Sequence, residues 1–292
     1  MGISDFIRKE FAKADDERDK GLTTPEGVCR YDDICYGTDR NNQILDVYLP
    51  QDIVGKLPVI ISVHGGGWVY GNKERYQFYC MDLAKRGYAV VNFTYRLAPE
   101  HKFPASLEDI NLVMEWVLEN AQRYKMDIDR IYAVGDSAGA HILCLYMDIC
   151  VNEKYALNYR FKIPQGLKIQ GLALNCGQYH LDVEEMDDMT GQLMQVYLCH
   201  KGTREELALL CADEYVTPKF PPTFIMTAEN DFLRKQAPLL YQKLKEKQVT
   251  CELHDYSSRT EKKLGHVFHL DVRSEDARKC NDEECKFFDN IK

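Results

Sequence analysis

Apolar side chains recur along this chain in two different spacings. Leu57 to Val63 is a continuous apolar run of strand length, and such runs are typical of strands buried on both faces of a sheet. Glu108 to Tyr124 instead places Ile110, Val113 and Trp116 at helical spacing on one side. The two kinds of segment alternate along the sequence. This alternation predicts the α/β class, with a mostly parallel twisted sheet and helices on both faces.

We predict eight strands and a set of helices between them. Val28 to Tyr36 and Gln43 to Tyr48 are joined by a turn and open the sheet as an antiparallel pair. The further strands are predicted at Leu57 to Val63, Tyr88 to Tyr95, Ile131 to Val134, Leu167 to Leu174, Pro221 to Ala228 and Val249 to Tyr256. The helices are predicted at Ile3 to Asp19, Glu108 to Tyr124, Ala140 to Cys150, Arg234 to Lys247 and Arg273 to Ile291.

Tyr179 to Val216 interrupts the alternation. The segment is acidic and rich in Met and Tyr, and its composition favours helices. Because it is inserted near strand ends, where open α/β sheets bind ligands, we predict a cap over a pocket; an ornamental surface insertion is the alternative. Ile3 to Asp19 has one apolar face, and its residues alone favour a docked surface helix over a lid.

The charge balance narrows the choice of partner. The chain carries 37 Lys and Arg against 46 Asp and Glu, a net charge of −9, and no basic cluster offsets it. We therefore expect no nucleic-acid partner and no attraction to anionic membranes. No apolar run reaches the length of a membrane span, and Met1 to Lys20 is too charged for a signal peptide.

The 11 cysteines are scattered, without a C-x-x-C pair or a dense framework. This pattern favours reduced thiols and a cytoplasmic location. A metal site built from cysteines stays open, but no ligand spacing supports it and none is predicted.

The candidate chemistry centres on Gly135 to Gly139, which reads G-D-S-A-G and fits the motif G-x-S-x-G. The motif follows the predicted strand at Ile131 to Val134 and precedes a buried helix. A strand, a sharp turn and a helix around a serine form the context that gives this motif meaning. The glycines are needed because side chains there would collide with the neighbouring strand and helix. A chance match is the alternative for so short a pattern.

A serine hydroxyl such as that of Ser137 is a poor nucleophile and needs an adjacent base. His266 is the candidate base, because it lies behind a glycine in the loop after the last predicted strand. The other histidines considered fit less well. His254 lies within a strand, His141 lies on the buried helix after the serine, and His269 comes three residues later than His266.

The base in turn needs an anion to orient it. Asp231 is the candidate acid, directly after the predicted strand that ends at Ala228, and Glu229 competes with it. The chain order is then Ser137, Asp231, His266, which is the order of the α/β-hydrolase arrangement.

The donors for an oxyanion are expected in His64 to Gly67, a histidine followed by three glycines after a buried strand. Glycines leave the backbone N–H groups open to close approach by a substrate. The N–H groups of Gly66 and Gly67 are candidates to join that of Ala138, the residue after the serine, in binding the developing charge.

The chain resembles the α/β-hydrolases, and specifically the hormone-sensitive-lipase-like branch of microbial carboxylesterases. The resemblance spans about Val28 to Phe288 and rests on motifs in the expected order. These motifs are His64 to Trp68 (H-G-G-G-W), Tyr95 to Ala105 (Y-R-L-A-P-E-H-K-F-P-A), Gly135 to Gly139, Asp231 and His266.

The sequence departs from the family's pattern at three loops. The family usually has glycine where this chain has Ala140, proline-leucine after the acid where it has Phe232 and Leu233, and glycine after the base where it has Val267. These differences lie beside the triad positions and leave the triad itself in place.

The resemblance implies a single α/β-hydrolase domain over 1–292, with an eight-stranded sheet and a helical cap from about 1–25 and 179–216. It implies a catalytic triad of Ser137, Asp231 and His266 and an oxyanion hole of Gly66, Gly67 and Ala138. The expected activity is hydrolysis of small carboxylic esters, with a short acyl group such as acetyl, without metal or cofactor.

Trp68 and Tyr70 follow the glycine run and are expected to contact the substrate; a buried aromatic cluster is the alternative. Two rival functions stay open. An arylformamidase-like amidase resembles the chain in its H-G-G-W region. A non-catalytic ligand receptor on the same fold lacks the base histidine, which is present here as His266. A homodimer also stays open.

Overall fold

The computed structural model describes residues 2–181 and 188–291. Residues 182–187 of the predicted capping insertion, and the two terminal residues, lie outside the described residues. The strands are β1 (Val28–Cys35), β2 (Ile44–Pro50), β3 (Leu57–Val63), β4 (Ala89–Phe93), β5 (Met126–Asp136), β6 (Ile169–Asn175), β7 (Thr223–Ala228) and β8 (Cys251–Tyr256).

Within these ranges the strands form one eight-stranded sheet in the order β1-β2-β4-β3-β5-β6-β7-β8. β2 runs antiparallel to both β1 and β4, and the pairs from β4 through β8 are parallel. The carboxyl ends of β3, β5, β6, β7 and β8 therefore meet at one edge, which is where open α/β sheets bind ligands.

Helices cover both faces of the sheet. They are α1 (Ile3–Asp19), α2 (Lys73–Lys85), α3 (Ala105–Asn120), α4 (Ala138–Val151), α5 (Glu153–Ala156), α6 (Met189–Tyr197), α7 (Arg204–Leu209), α8 (Gln236–Glu246) and α9 (Glu275–Asp289). Short 3-10 turns lie at Ala212–Glu214 and Phe268–Leu270. Within residues 2–181 and 188–291, every helix falls short of the length and apolar character that a bilayer span requires.

The alternation of side chains along β3 shows why both faces must be covered. Val59, Ile61 and Val63 are fully buried in the core that contains α3, α4 and α8. Ile60 points to the opposite face and is fully buried in the core that contains α2 and α9. A strand apolar on both faces is stable only between two layers, so the continuous run at Leu57–Val63 produces the three-layer arrangement.

The predicted fold class is confirmed, and β3 and α1 have the predicted bounds. The sequence analysis missed α2, whose buried residues include Tyr76, Tyr79 and Lys73 and so lack a clean apolar stripe. β5 begins at Met126, five residues before the predicted strand. The prediction missed this part of the strand because Asp127, Asp129 and Arg130 are polar. Exposed polar residues at a strand's start are invisible to a search for apolar runs.

Candidate active site

Ser137 lies at the sharp turn between β5 and α4, with φ 53° and ψ −117°. A residue other than glycine is strained in this backbone conformation, and residues with such strain cluster at functional sites. The turn is held by the Ser137 N–H, which donates to the carbonyl oxygen of Asn175 on β6 (2.8 Å). A Cβ on Gly139 would lie 2.1 Å from the carbonyl oxygen of Val63, so only glycine fits there.

Asp231 and His266 lie at the ends of the neighbouring strands β7 and β8. An isolated parallel bridge between Asn230 and Gly265 continues the pairing of these strands and sets the next residues side by side. His266 Nδ1 is 2.7 Å from Asp231 Oδ1. The Asp231 side chain is fully buried, and that of His266 is 17% exposed. The imidazole thus has a buried anion behind it and an open side toward a cavity.

Three donors hold the Asp231 carboxylate in its charged form. Besides His266, the Thr227 hydroxyl donates to Oδ2 (2.8 Å) and the Leu233 N–H donates to Oδ1 (2.9 Å). Burial alone would raise the pKa of Asp231, but the His266 contact and these hydrogen bonds outweigh it and leave the pKa below its usual value. Thr227, on β7 four residues before Asp231, was not predicted as part of the site.

Glu229, the competing candidate for the acid, and His254, a competing candidate for the base, make other contacts. Glu229 accepts from the N–H of Ser258 (2.9 Å) and pairs with Lys263 (3.3 Å), so it orders the 258–264 loop and lies away from His266. His254 lies on β8 with its ring stacked on Phe224 (4.3 Å between centroids). Neither residue lines the cavity that contains Ser137 and His266.

A cavity of about 270 Å³ brings Ser137 and His266 together, with both side chains in its wall. Gly65, Gly66 and Tyr70 line the same cavity, so the glycine run predicted to bind an oxyanion borders it. Further lining residues are Phe11, Ala14, Asp15, Arg18, Gly71, Tyr76, Phe232, Val267 and Leu270.

The glycine run is shaped by its own contacts. Gly66 has φ +119°, and a Cβ there would lie 2.1 Å from the carbonyl oxygen of Tyr70. The Gly65 N–H is occupied, because it donates to the Tyr76 hydroxyl (2.9 Å). His64 is stacked on Tyr95 (4.0 Å between centroids) below the run. Complete burial lowers the pKa of His64 to about 4, so its ring is neutral at pH 7 and acts as a packing group.

A second cavity, of about 30 Å³, also has Ser137 in its wall and is lined by Gly67, Trp68, Ala138 and Leu193 among others. The predicted oxyanion residues Gly67 and Ala138 therefore border this smaller space. Leu193 belongs to α6, so the segment predicted as a cap contributes to the wall of a cavity that Ser137 also lines.

Trp68 is 4% exposed and is fixed in the wall of the smaller cavity. Its indole N–H donates to His141 Nδ1 (3.2 Å), and its ring stacks on Tyr197 (5.6 Å between centroids). His141 Nε2 is 2.8 Å from the carbonyl oxygen of Leu210. The buried His141 thus holds the Trp68 indole in place. The role of Trp68 in substrate binding stays a prediction.

α1 closes the larger cavity with a face that is not purely apolar. Phe11, Asp15 and Arg18 follow one another at helical spacing and all line the cavity. Asp15 accepts from the Tyr70 hydroxyl (2.8 Å) and pairs with Arg18 (2.8 Å). Burial raises the pKa of Asp15 despite the Arg18 charge. The sequence analysis did not single out Asp15 or Arg18, although a charged pair in register with Phe11 was visible in the pattern.

Val267 is one of the positions where the sequence departs from the pattern of the family that it resembles. Its φ is 50° and ψ 36°, a left-handed conformation that is uncommon for a β-branched residue. Phe232, another of the departures, places its ring 4.2 Å from that of His266 between centroids. Two of the differences noted in the sequence, at Phe232 and Val267, are therefore next to the base.

A buried polar network lies beneath the serine turn. His269 Nε2 is 3.0 Å from Asp136 Oδ1, and Asn175 Nδ2 donates to both Asp136 (3.2 Å) and Glu284 (2.9 Å). The Tyr79 hydroxyl donates to the other oxygen of Glu284 (2.8 Å). Burial raises the pKa of Glu284. The network ties the residue before Ser137 to the loop that carries His266 and to α9.

We expect His269→Ala to lower the free energy of unfolding by about 3–5 kcal/mol, because it removes the imidazole partner of the buried Asp136 and leaves only the hydrogen bond from Asn175. His254→Ala is the matched control. His254 faces Glu252 at 2.9 Å across a partly exposed surface, where such pairs contribute about 0–1 kcal/mol. Urea denaturation of both variants measures the difference, and equal losses would contradict a special role for the network.

Two groups of side chains in the described ranges have the composition of metal ligands. One is Cys176, Asp231 and His266, and the other is His180, Asp213 and Glu214. In the second group, Glu214 is already paired with Lys243 (2.8 Å).

The sheet order, the strained serine between β5 and α4, and the acid and histidine after β7 and β8 define an α/β-hydrolase fold. The chain belongs to the BD-FAE family, whose profile matches residues 45–244, more than half of the chain. The resemblance to the hormone-sensitive-lipase-like carboxylesterases is confirmed.

Among curated proteins, the chain is 28% identical over 216 residues to the versiconal hemiacetal acetate esterase of Dothistroma septosporum, covering 69% of this chain. It is 40% identical over 102 residues to the carboxylesterase NlhH of Mycobacterium tuberculosis, covering 33% of this chain. The aligned segments span 65% of the first relative and 30% of the second, less than two thirds of each.

Among solved structures, esterase B from Lactobacillus rhamnosis, inhibited by a tributyrin phosphonate, superposes with a TM-score of 0.86 at 25% identity. The superposition covers 97% of this chain and 92% of that protein.

Proposed function

We propose that this protein is a serine hydrolase that cleaves small carboxylic esters through an acyl-enzyme intermediate. The observation that carries the proposal is the shared cavity, in whose wall the strained Ser137 and the Asp231-backed His266 both lie. The esterase names of the related proteins support the same class of reaction.

In the first half-reaction, His266 Nε2 takes the proton of Ser137 as its oxygen attacks the ester carbonyl carbon. Asp231, 2.7 Å from Nδ1, orients the ring and stabilises the imidazolium that forms. The oxygen of the tetrahedral intermediate accepts from the N–H groups of Gly66, Gly67 and Ala138. The imidazolium then gives its proton to the leaving alcohol, and the acyl group stays on Ser137.

In the second half-reaction, His266 takes a proton from water, and the resulting hydroxide equivalent attacks the acyl carbonyl. Collapse of the intermediate breaks the bond to the serine oxygen, which regains its proton from His266. The free acid leaves. Each step uses side chains and backbone of this chain, so the proposed reaction requires neither metal nor cofactor.

We propose that the two cavities hold the two ends of the ester. The alcohol must lie beside His266, which protonates it, and His266 lines the larger cavity of about 270 Å³. The acyl group then enters the other cavity that Ser137 lines, of about 30 Å³ beside Leu193. That space accepts a group of about one or two carbons. We therefore propose short acyl esters, acetates among them, with a bulkier alcohol.

We also propose that α1 and the segment 189–216 form the described part of a cap on a single α/β-hydrolase domain. Ile7 and Phe11 from α1 and Leu193 from α6 line the smaller cavity together. Residues from the first helix and from the insertion after β6 thus enclose the space beside Ser137.

We expect Leu193→Ala to shift the preference toward longer acyl chains. Truncation of this buried side chain deepens the smaller cavity, and each added methylene in an apolar pocket contributes about 1–3 kcal/mol to discrimination. The ratio of kcat/KM for p-nitrophenyl hexanoate to that for p-nitrophenyl acetate should rise at least about tenfold.

Leu270→Ala is the matched control, because Leu270 is equally buried but lines the larger cavity. It should leave the acyl-length ratio near the wild-type value and change the preference among acetates of different alcohols. If both variants lengthened the acyl preference equally, the assignment of the two cavities would be wrong.

The experiment that tests the proposed function compares p-nitrophenyl esters of rising chain length with N-formylkynurenine. The proposal expects the highest kcat/KM for acetate or propionate and much slower cleavage of the formamide. Preferred cleavage of N-formylkynurenine would instead favour the arylformamidase alternative. Binding of ligands without turnover of any of these compounds would favour a receptor.

A further inference from the structure

A cysteine thiol lies directly behind the proposed acid and base. Cys176 Sγ, a carboxylate oxygen of Asp231 and a ring nitrogen of His266 all lie within 4.8 Å of one another. The three residues follow β6, β7 and β8, which are adjacent parallel strands. The sheet topology therefore places a sulfur, an oxygen and a nitrogen atom, each able to bind a metal, close together.

The position of Cys176 is tightly defined. The residue is 1% exposed and has φ 49°, in the left-handed region. Its sulfur accepts from the N–H of Val267 (3.4 Å), the strained residue after the base. The thioether sulfur of Met226 lies 3.7 Å away on β7. A thiol, a thioether, an imidazole and a carboxylate thus converge where ester hydrolysis itself has no use for sulfur.

We propose that Cys176, Asp231 and His266 form a binding site for a thiophilic divalent cation such as Zn²⁺ or Cd²⁺, and that occupancy stops hydrolysis. Cysteine, histidine and aspartate are the ligand types that Zn²⁺ takes, and a thiolate favours soft cations over Mg²⁺ or Ca²⁺. The proposed site adjoins the larger cavity, because His266 and Val267 line it.

Metal binding removes one proton, from Cys176, and changes the tautomer of His266. Cys176 releases its thiol proton to solvent and binds as thiolate, and His266 binds through the lone pair of Nδ1. The neutral ring then carries its one proton on Nε2. An Nε2–H cannot accept the proton of Ser137, and the hydrogen bond between Nδ1 and Asp231 is lost as well. This inhibitory half of the inference rests on the proposed function.

The binding half is tested by Cd²⁺ titration of the full chain, followed through the ultraviolet thiolate-to-cadmium charge-transfer band. Wild type is compared with Cys176→Ser, which keeps the volume of the side chain but removes the thiolate, and with Cys176→Ala. Cys144→Ala is the matched control, because Cys144 is equally buried but lies on α4. The tight-binding band should disappear in both Cys176 variants and persist in Cys144→Ala.

The inhibitory half is tested by ester hydrolysis at buffered free Zn²⁺, with each variant compared to its own metal-free rate. Zn²⁺ should inhibit wild type and Cys144→Ala, and a chelator should restore the rate. Loss of an outer-shell partner weakens metal binding about 10–100-fold, so loss of the thiolate should raise the inhibition constant at least about 100-fold.

The outcomes separate this inference from the proposed function. An unchanged cadmium band in the Cys176 variants, or an unchanged inhibition constant, overturns the metal site. A band that depends on Cys176 in a protein that hydrolyses no ester supports the site and overturns the proposed function, because the band requires no turnover.

Discussion

Ser137→Ala is expected to lower kcat for short-chain esters by about six orders of magnitude, the loss typical of a triad nucleophile. The hydroxyl is the atom that attacks the carbonyl, and the remaining donors cannot replace it. The measurement is kcat for p-nitrophenyl acetate, with thermal unfolding as a check on the fold. Ser274→Ala is the control, because Ser274 precedes α9 and lines neither cavity beside Ser137.

A Ser137→Ala protein that hydrolyses esters within about tenfold of wild type after repeated purification would place the nucleophile elsewhere. A loss of the same size in Ser274→Ala would point to damage to the fold.

Asp231→Asn is expected to lower kcat by about 10⁴-fold, as an amide in place of the orienting carboxylate does in a serine triad. The Thr227 hydroxyl would still donate to the amide oxygen, but an Asn nitrogen in the place of Oδ1 favours the wrong tautomer of His266 and loses the hydrogen bond from the Leu233 N–H. The rate of p-nitrophenyl acetate hydrolysis measures this. Asp255→Asn is the matched control, since Asp255 is 39% exposed and pairs with Arg234 (2.7 Å).

The control should stay within about twofold of wild type, since an exposed ion pair contributes little. A full rate in Asp231→Asn would show that His266 is oriented by another group, and the hydrogen bond of 2.7 Å would then be structural only.

Strands that are buried on both faces were predictable because their side chains must all be apolar. Leu57–Val63 shows this, since its bounds follow from the run alone. The parallel order places strand ends at one edge, and so the residues after β5, β7 and β8 converge although they lie far apart in sequence. α2 escaped prediction because tyrosines and a buried lysine share its packed face.

The parts of the site that depend on long-range contacts were not readable from local patterns. Cys176 belongs to no sequence motif, and only the register of β6 beside β7 brings it close to Asp231. His269 was ranked behind His266 as the base, and the structure places it in the buried network with Asp136. Its spacing of three residues from His266 gave no sign of which ring would face the cavity.

The measurement that tests the central claim most directly is covalent labelling with an organophosphonate ester, followed by peptide mass mapping. We predict one phosphonyl group per chain on the peptide that carries Ser137, with loss of ester hydrolysis in proportion to labelling, and no label in Ser137→Ala. Labelling at a different residue, or full hydrolysis by a protein whose Ser137 is completely phosphonylated, would contradict the account.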